Sequence, residues 1–365
     1  MSFFIVVLCQ QTYNFILFIA QMKLFFVAQT LLFKRTFSIA HGSRNSTPVV
    51  FTRLEYDGIF GYGEASMPPY LGENHETASR FLFKAEKILT DFSDPMQVDI
   101  ILSAIDKIDS ANTAAKASID IALHDLNGKL LNKSCHKMFG ADEKRNIFTA
   151  YTIPIDEPNG IKSRIEEANN YKILKVKLGS DDDKKIIDHI RNHTDKKIIV
   201  DANEGWHEKN MALEMLCWLA ERNVVFVEQP MPKKMIDECA WLTEKSPIPI
   251  IADEAVQRLD DLEKVQGVYN GINIKLMKCT GLNEAYKMIQ LAKKYKMKTM
   301  MGCMSESSCG TSAAAQLAPL VDWVDLDGPL LIKEDYFDGV KFSEGQILLN
   351  NQPGIGVKLI SDIFK

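Results

Sequence analysis

Short apolar runs, each ending on a charged residue, punctuate the second half of the chain. Lys177 closes Ile173-Leu174-Lys175-Val176, Asp201 closes Ile198-Ile199-Val200, and Glu228 closes Val224-Val225-Phe226-Val227. Asp253 closes Ile248-Pro249-Ile250-Ile251-Ala252, and Lys275 closes Ile272-Asn273-Ile274. The charged ends lie 24, 27, 25 and 22 residues apart, the length of one strand, one helix and their two loops. Further apolar runs at 147–153, 297–303 and 321–327 bring the number of predicted strands to eight. The pattern predicts an α/β protein with a TIM-like (β/α)7–8 barrel, the lower count allowing for one short or distorted strand. After Lys177 a helix is expected to start from Ser180 as its cap, with Asp181, Asp182 and Asp183 in its first turn where acids suit the dipole. Further helices are expected from about Lys209 and, after Gly281, over 282–295.

The first part of the chain has a different rhythm. Residues 49–56 and 59–64 alternate apolar and polar around Asp57-Gly58, a hairpin signal. From 75 to 131 the spacing is helical, and Ala115, Ile119, Ala122, Leu123, Leu126 and Leu130 give one apolar face. Strands and then helices, ahead of the alternating units, predict a separate α+β capping domain over 22–140. The barrel is expected over 141–330. Residues 331–365, with hairpin character at 340–349, are expected to pack back on the cap.

Residues 1–22 contain no Lys, Arg, Asp or Glu, and their apolar stretches are split by Gln10-Gln11-Thr12-Tyr13-Asn14. They lack the basic start of a signal peptide and the unbroken run of about 20 residues needed to span a bilayer. We read 1–21 as an extension ahead of a functional chain that starts at Met22, and expect no membrane partner.

A barrel takes about 250 of the 365 residues, which leaves room for the cap. A net charge of -5 without a basic tract argues against a nucleic-acid partner. The seven cysteines are scattered, with no C-x-x-C pair. That disfavours a disulfide framework or a zinc site and fits reduced thiols in a cytoplasm.

Residues that point into a closed barrel at the C-terminal ends of its strands meet near the axis. Asp201, Glu228 and Asp253 end successive strands about 5 Å apart, so their carboxylates can converge on one hard cation, for which Mg²⁺ is the natural candidate. Side chains two apart on a strand share a face, which pairs Lys175 with Lys177 and Asp325 with Asp327. A charged residue at the end of one strand is ordinarily a solvated loop residue; five in register are not. A K-x-K is ordinarily a wet face, yet Ile173, Leu174, Val176 and Leu178 surround this one. Asp325 and Asp327 read equally well as a turn before Gly328-Pro329. By residue type alone, Cys303 and His124 read as core residues.

Taken together, Lys-x-Lys, Asp201-Ala202-Asn203, Val227-Glu228-Gln229-Pro230, Ala252-Asp253-Glu254 and Asn273-Ile274-Lys275 resemble the enolase superfamily, muconate-lactonizing subgroup, from about Met22 to the C-terminus. Asp325-Leu326-Asp327 resembles the hallmark of its dipeptide epimerases, especially L-Ala-D/L-Glu epimerases. The resemblance implies that Asp201, Glu228 and Asp253 bind Mg²⁺ and that Lys177 and Lys275 are the acid/base pair. It implies that Lys175 lies against the substrate carboxylate and lowers the pKa of Lys177. It places Thr152 on the substrate, gives the backbone of 302–306, with Cys303 and Ser305, to the peptide, and gives the substrate ammonium to Asp325 and Asp327. The segment 33–44 corresponds to a loop that closes the site. Arg44 is read there as the partner of a glutamate carboxylate, with His41 and Arg35 as alternatives because the spacing departs from common relatives. Relatives are often assemblies, so a homo-oligomer is compatible with the resemblance.

The expected activity is therefore epimerisation of a dipeptide, with L-Ala-D/L-Glu from cell-wall peptide recycling as the leading substrate. Burial and nearby cations are expected to lower the lysine pKa values, so that a neutral amine can take the proton. A cycloisomerase, an o-succinylbenzoate synthase or an N-acyl amino acid racemase on the same fold is the alternative. A Schiff-base aldolase and a non-catalytic metal-stabilised scaffold are more distant ones.

Overall fold

A computed structural model describes residues 21–141 and 145–364. The expected extension falls almost wholly on residues 1–20, outside the described residues. The cap opens with three antiparallel strands, β1 (Lys23–Ile39), β2 (Gly42–Tyr56) and β3 (Ile59–Ser66), in that order across the sheet. The hairpin between β2 and β3 turns at Asp57 and Gly58, whose φ values are 50° and 72°. Two positive φ angles give the turn twist that matches the twist of the strands.

Helices His75–Leu89, Val98–Asp106 and Thr113–Leu130 follow. The third was expected to bury one face, but residues 114–128 are all buried. The cap sheet covers one side so closely that a Cβ on Gly61 or Gly63 would lie 2.1 Å from Ala122 O or 1.9 Å from Ser118 O. Elsewhere on the same helix, the Asp120 carboxylate accepts from Leu282 N at 2.6 Å and Asn283 N at 3.1 Å. It thereby satisfies the free amides at the start of the barrel helix Leu282–Lys294.

Eight parallel strands come next: β4 (Tyr151–Ile153), β5 (Ile173–Lys177), β6 (Lys197–Asp201), β7 (Val224–Glu228), β8 (Ile250–Ala252), β9 (Gly271–Lys275), β10 (Lys298–Gly302) and β11 (Trp323–Asp325). They are hydrogen-bonded in sequence order. Ala150 N donates to Val324 O at 3.1 Å, joining the first strand to the last, so the barrel is nearly closed. β4 and β11 are shorter than the apolar runs that predict them. Residues 147–149 pair with the tail instead, through Ile347 N to Ile147 O and Thr149 N to Gly345 O, both 2.9 Å. Ala150, Ile199, Phe226, Ile251 and Met300 form a separate apolar cluster. Ile199, Phe226 and Ile251 sit two residues before Asp201, Glu228 and Asp253, so the cluster lies beneath the carboxylates as a floor.

The helix after β5 begins at Asp183, not on a Ser180 cap. Asp183 instead gathers the loop, accepting from Ser180 N (2.8 Å), Gly179 N (3.0 Å) and Trp206 Nε1 (2.9 Å). In the tail, Lys341–Ser343 pairs with Gln346–Leu348. The Phe337 ring lies 5.3 Å from Phe51 and 5.5 Å from Tyr62 of the cap. Among the described residues, no helix is long and apolar enough to cross a membrane.

Candidate active site

The strand register sets the site. Thr152 lies opposite Lys175, and Lys177 lies opposite Asp201, which lies opposite Glu228. Gly302 sits between Lys275 and Asp325. Asp201, Glu228 and Asp253 are buried, with carboxylate oxygens all within 4.8 Å of one another. Lysines surround them. Lys177 Nζ donates to Asp201 Oδ2 at 2.6 Å and Lys275 Nζ to Asp253 Oδ2 at 2.7 Å. Lys175 Nζ lies 2.8 Å from Glu228 Oε2, 3.2 Å from Asp201 Oδ2 and 2.8 Å from Asp325 Oδ2.

Burial alone would raise every carboxyl pKa in this cluster, but the lysines decide the outcome at two of them. Lys177 and Lys175 overcome burial at Asp201 and hold it at about 2. Lys275, Lys278 and Lys175 hold Asp253 well below the usual range. At Glu228, burial and then the adjacent Asp201 carboxylate win and raise it to about 7. The expected lowering of the lysines is not found at Lys275. Burial pushes its pKa down, but Asp253 outweighs burial and holds it well above the usual value. Lys175 is raised in the same way against burial, first by Asp325 and then by Glu228 and Asp201.

A cavity of about 340 Å³ opens above this rim. Thr152, Lys175, Lys177, Asp253, Lys275, Cys303, Ser305, Asp325 and Asp327 face it from the barrel, while Asp201 and Glu228 lie buried below. Cys303 is thus in the cavity wall, whereas His124 is buried in the cap helix, its Nδ1 3.2 Å from Asp120 Oδ1. The carboxylates of Asp325 and Asp327 are tied to the rim rather than to a turn: Asp327 Oδ2 accepts from Thr152 N at 2.7 Å. Asp325 Oδ1 is buried and has no hydrogen-bond partner among the described residues.

From the cap, Arg44 and His41 line the cavity together with Phe37, Ile39, Pro68 and Tyr70. The Arg44 guanidinium lies 5.6 Å from the Phe33 ring centroid, and its Nη2 donates a long hydrogen bond to Ser305 Oγ at 3.5 Å. Its buried Nη1 has no partner among the described residues, and burial lowers its pKa. Arg35 is outside this cavity, 2.5 Å from Glu167 Oε1.

Four contributors lie beyond those read from the sequence. Lys278 Nζ donates to Asp253 O at 2.7 Å and Asn273 Nδ2 to Glu228 Oε1 at 2.7 Å. Gln229 Oε1 accepts from Asp253 N and Ala255 N, fixing the backbone around the third carboxylate. Tyr70 reaches the cavity from the short turn Pro69–Leu71. Asn273 was readable in the alternation, since it lies two before Lys275; Tyr70 had no local signal.

The donor set passes the test for a hard divalent ion: three converging buried carboxylates, oxygen ligands only, beside an open cavity. A barrel with these groups at its C-terminal rim is the architecture of a metal-assisted enzyme. The profile described as mandelate racemase / muconate lactonizing enzyme, N-terminal domain, matches residues 22–140, and the one described as enolase C-terminal domain-like matches 161–363. The chain belongs to this family of the enolase superfamily and is an isomerase of the racemase and epimerase kind. It is 50% identical to an L-Ala-D/L-Glu epimerase of Bacteroides thetaiotaomicron over 341 residues, covering 93% of this chain and 88% of that protein. It is 36% identical to an L-Ala-D/L-amino acid epimerase of Maribacter sp., covering 90% and 97%. A solved dipeptide epimerase from Cytophaga hutchinsonii, complexed with Mg and D-Ala-L-Val, superposes with a TM-score of 0.89 at 27% identity, covering 94% of this chain and 97% of that one.

Proposed function

We propose that the protein is a Mg²⁺-dependent dipeptide epimerase that inverts the Cα of the second residue, with L-Ala-D/L-Glu as its substrate. The observation that carries this reading is the placing of Lys177 and Lys275. They end β5 and β9, four strands apart in a ring of eight, and line one cavity from opposite sides. A planar enediolate between them can lose a proton on one face and gain it on the other. The names of the relatives support the dipeptide.

Asp201, Glu228 and Asp253 would hold the divalent ion, which would supply positive charge beside the substrate carboxylate where negative charge grows. Lys177 then faces one side of the Cα and Lys275 the other. Lys175 neutralises the substrate carboxylate. Thr152, Cys303 and Ser305 bound the peptide. Asp325, with a free buried oxygen, and Asp327 accept the ammonium group, which favours a dipeptide over the ammonium-free substrates of a cycloisomerase, an o-succinylbenzoate synthase or an N-acyl amino acid racemase. Arg44, a partly desolvated cation with an unpartnered Nη1, pairs with the side-chain carboxylate of glutamate. Reduced thiols fit work in the cytoplasm on peptides salvaged from the cell wall; the six cysteines among the described residues are all free.

The test is a dipeptide library incubated with enzyme and Mg²⁺ in deuterium oxide. Ala-Glu should gain one deuteron at the glutamate Cα and invert. Absence of exchange in every dipeptide would remove the proposal.

A further inference from the structure

A second cavity of about 290 Å³ adjoins the first, and Phe37, Thr152, Asp327 and Leu331 line both. The dipeptide reading does not use it. Its far wall carries three cations. Lys34 Nζ donates to the Leu330 carbonyl at 3.0 Å and has no ion-pair partner among the described residues. Arg35 is paired with Glu167, whose other oxygen accepts from Tyr151 Oη at 2.8 Å. Arg164, on the helix Pro158–Glu167, is only 6% exposed. Its Nε has no hydrogen-bond partner among the described residues and lies 3.8 Å from Asp156 Oδ2. Arg164 is thus a buried, loosely paired cation that lines the cavity, and such a cation gains from an anionic acceptor there.

We propose that this second cavity widens the substrate range beyond the L-Ala-D/L-Glu of the proposed function: it receives a longer side chain on the substrate's first residue and, among such side chains, favours one that ends in a carboxylate or carboxamide, with Arg164 as its partner. The inference rests on the dipeptide reading, because that reading puts the ammonium on Asp325 and Asp327. The ammonium nitrogen and the first side chain leave the same Cα, so a side chain that starts at Asp327 stands in the opening between the cavities. The space far exceeds the methyl group of alanine. With Asp327 engaged by the ammonium, Glu167 in the wall and Asp156 behind it, 3.8 Å from Arg164 Nε, stand against Lys34, Arg35 and Arg164. Three cations against two anions leave a positive charge for a ligand to meet.

The experiment compares kcat/KM of the Mg²⁺-loaded enzyme for L-Asp-L-Glu, L-Asn-L-Glu and L-Leu-L-Glu, whose first side chains are close in size, with L-Ala-L-Glu as reference. L-Asp-L-Glu should exceed L-Leu-L-Glu by about 10- to 100-fold, the range of one hydrogen bond to a charged group, with L-Asn-L-Glu between them. In Arg164→Gln the Asp-to-Leu ratio should fall to near one, and Arg164→Lys should restore part of it. Wild-type turnover of L-Leu-L-Glu equal to or above that of L-Asp-L-Glu overturns the inference while leaving the epimerase reading standing, as does a ratio that Arg164→Gln leaves unchanged. The wild-type series decides even if a variant fails to fold. Turnover of none of the four peptides overturns both readings.

Discussion

Lys177 and Lys275 end strands four apart in the eight-stranded barrel and line one cavity, and each is hydrogen-bonded to a different carboxylate of the same buried trio: Lys177 to Asp201 and Lys275 to Asp253. The two amines therefore approach the carboxylate trio from different flanks. A substrate carboxylate bound at the trio would carry its Cα into the space between them. That geometry suits inversion, which needs one proton donor or acceptor on each face.

The proposed metal dependence rests on the trio. Chelation should abolish turnover, and Mg²⁺ should restore it. Binding to the folded form alone stabilises it by about 2.7 kcal/mol at a hundredfold excess over Kd, so Mg²⁺ should raise the melting temperature. Asp253→Asn should remove most of that rise in a thermal-shift titration.

Asp325→Asn should cost the free dipeptide about 10- to 100-fold in kcat/KM, the worth of a hydrogen bond to a charged group. An N-acetylated dipeptide lacks the ammonium that Asp325 is proposed to hold. The preference of the enzyme for the free peptide over its acetylated form should therefore narrow in the variant, as read by paired rate measurements.

If Arg44 holds the glutamate side chain as proposed, Arg44→Met should raise KM for L-Ala-L-Glu by about tenfold or more while changing kcat less, since that side chain lies away from the reacting Cα. L-Ala-L-Leu should gain relative to L-Ala-L-Glu in the same assay.

Much of this site was readable because barrel strands carry two messages at once. Their apolar runs mark burial, and the charged residue that ends each run marks the rim. That is why Lys177, Asp201, Glu228, Asp253 and Lys275 and the eight-stranded ring could be read from one chain. Contacts between distant segments were not readable. Residues 147–149 have the composition of a barrel strand, yet they pair with a tail two hundred residues away. Ser180 has the composition of a cap, yet Asp183 takes up the loop amides. Tyr70 enters the cavity only because the cap docks on the barrel. The direction of the Lys275 shift depends on a carboxylate contact, which outweighs the burial that the composition does reveal.

One such contact between cap and barrel should be visible in stability. Glu64 on β3 accepts from Ser307 N and Gly310 N, both at 2.9 Å. Burial raises its pKa to about 7 from an ordinary 4.5, although Ser307 and Gly310 pull it the other way. The folded form therefore holds the proton more tightly than the unfolded chain. Below pH 4.5 the carboxyl is protonated in both states; between 4.5 and 7 the folded form loses stability as pH rises, by about 3 kcal/mol in all. Glu64→Gln should remove that loss. Its unfolding free energy minus that of wild type, from urea titrations, should be larger at pH 8 than at pH 5 by a similar amount, the variant gaining stability relative to wild type as pH rises.

The most direct test of the two-sided mechanism is proton exchange by the single lysine variants. L-Ala-L-Glu and L-Ala-D-Glu are each incubated in deuterium oxide with Mg²⁺ and Lys177→Ala or Lys275→Ala, and the Cα proton is followed by NMR. Neither variant should invert the centre at a measurable rate. Each should still exchange the proton of one diastereomer with retention, and the diastereomer should differ between the two. Inversion surviving in either variant, or both variants exchanging the same diastereomer, would contradict the account.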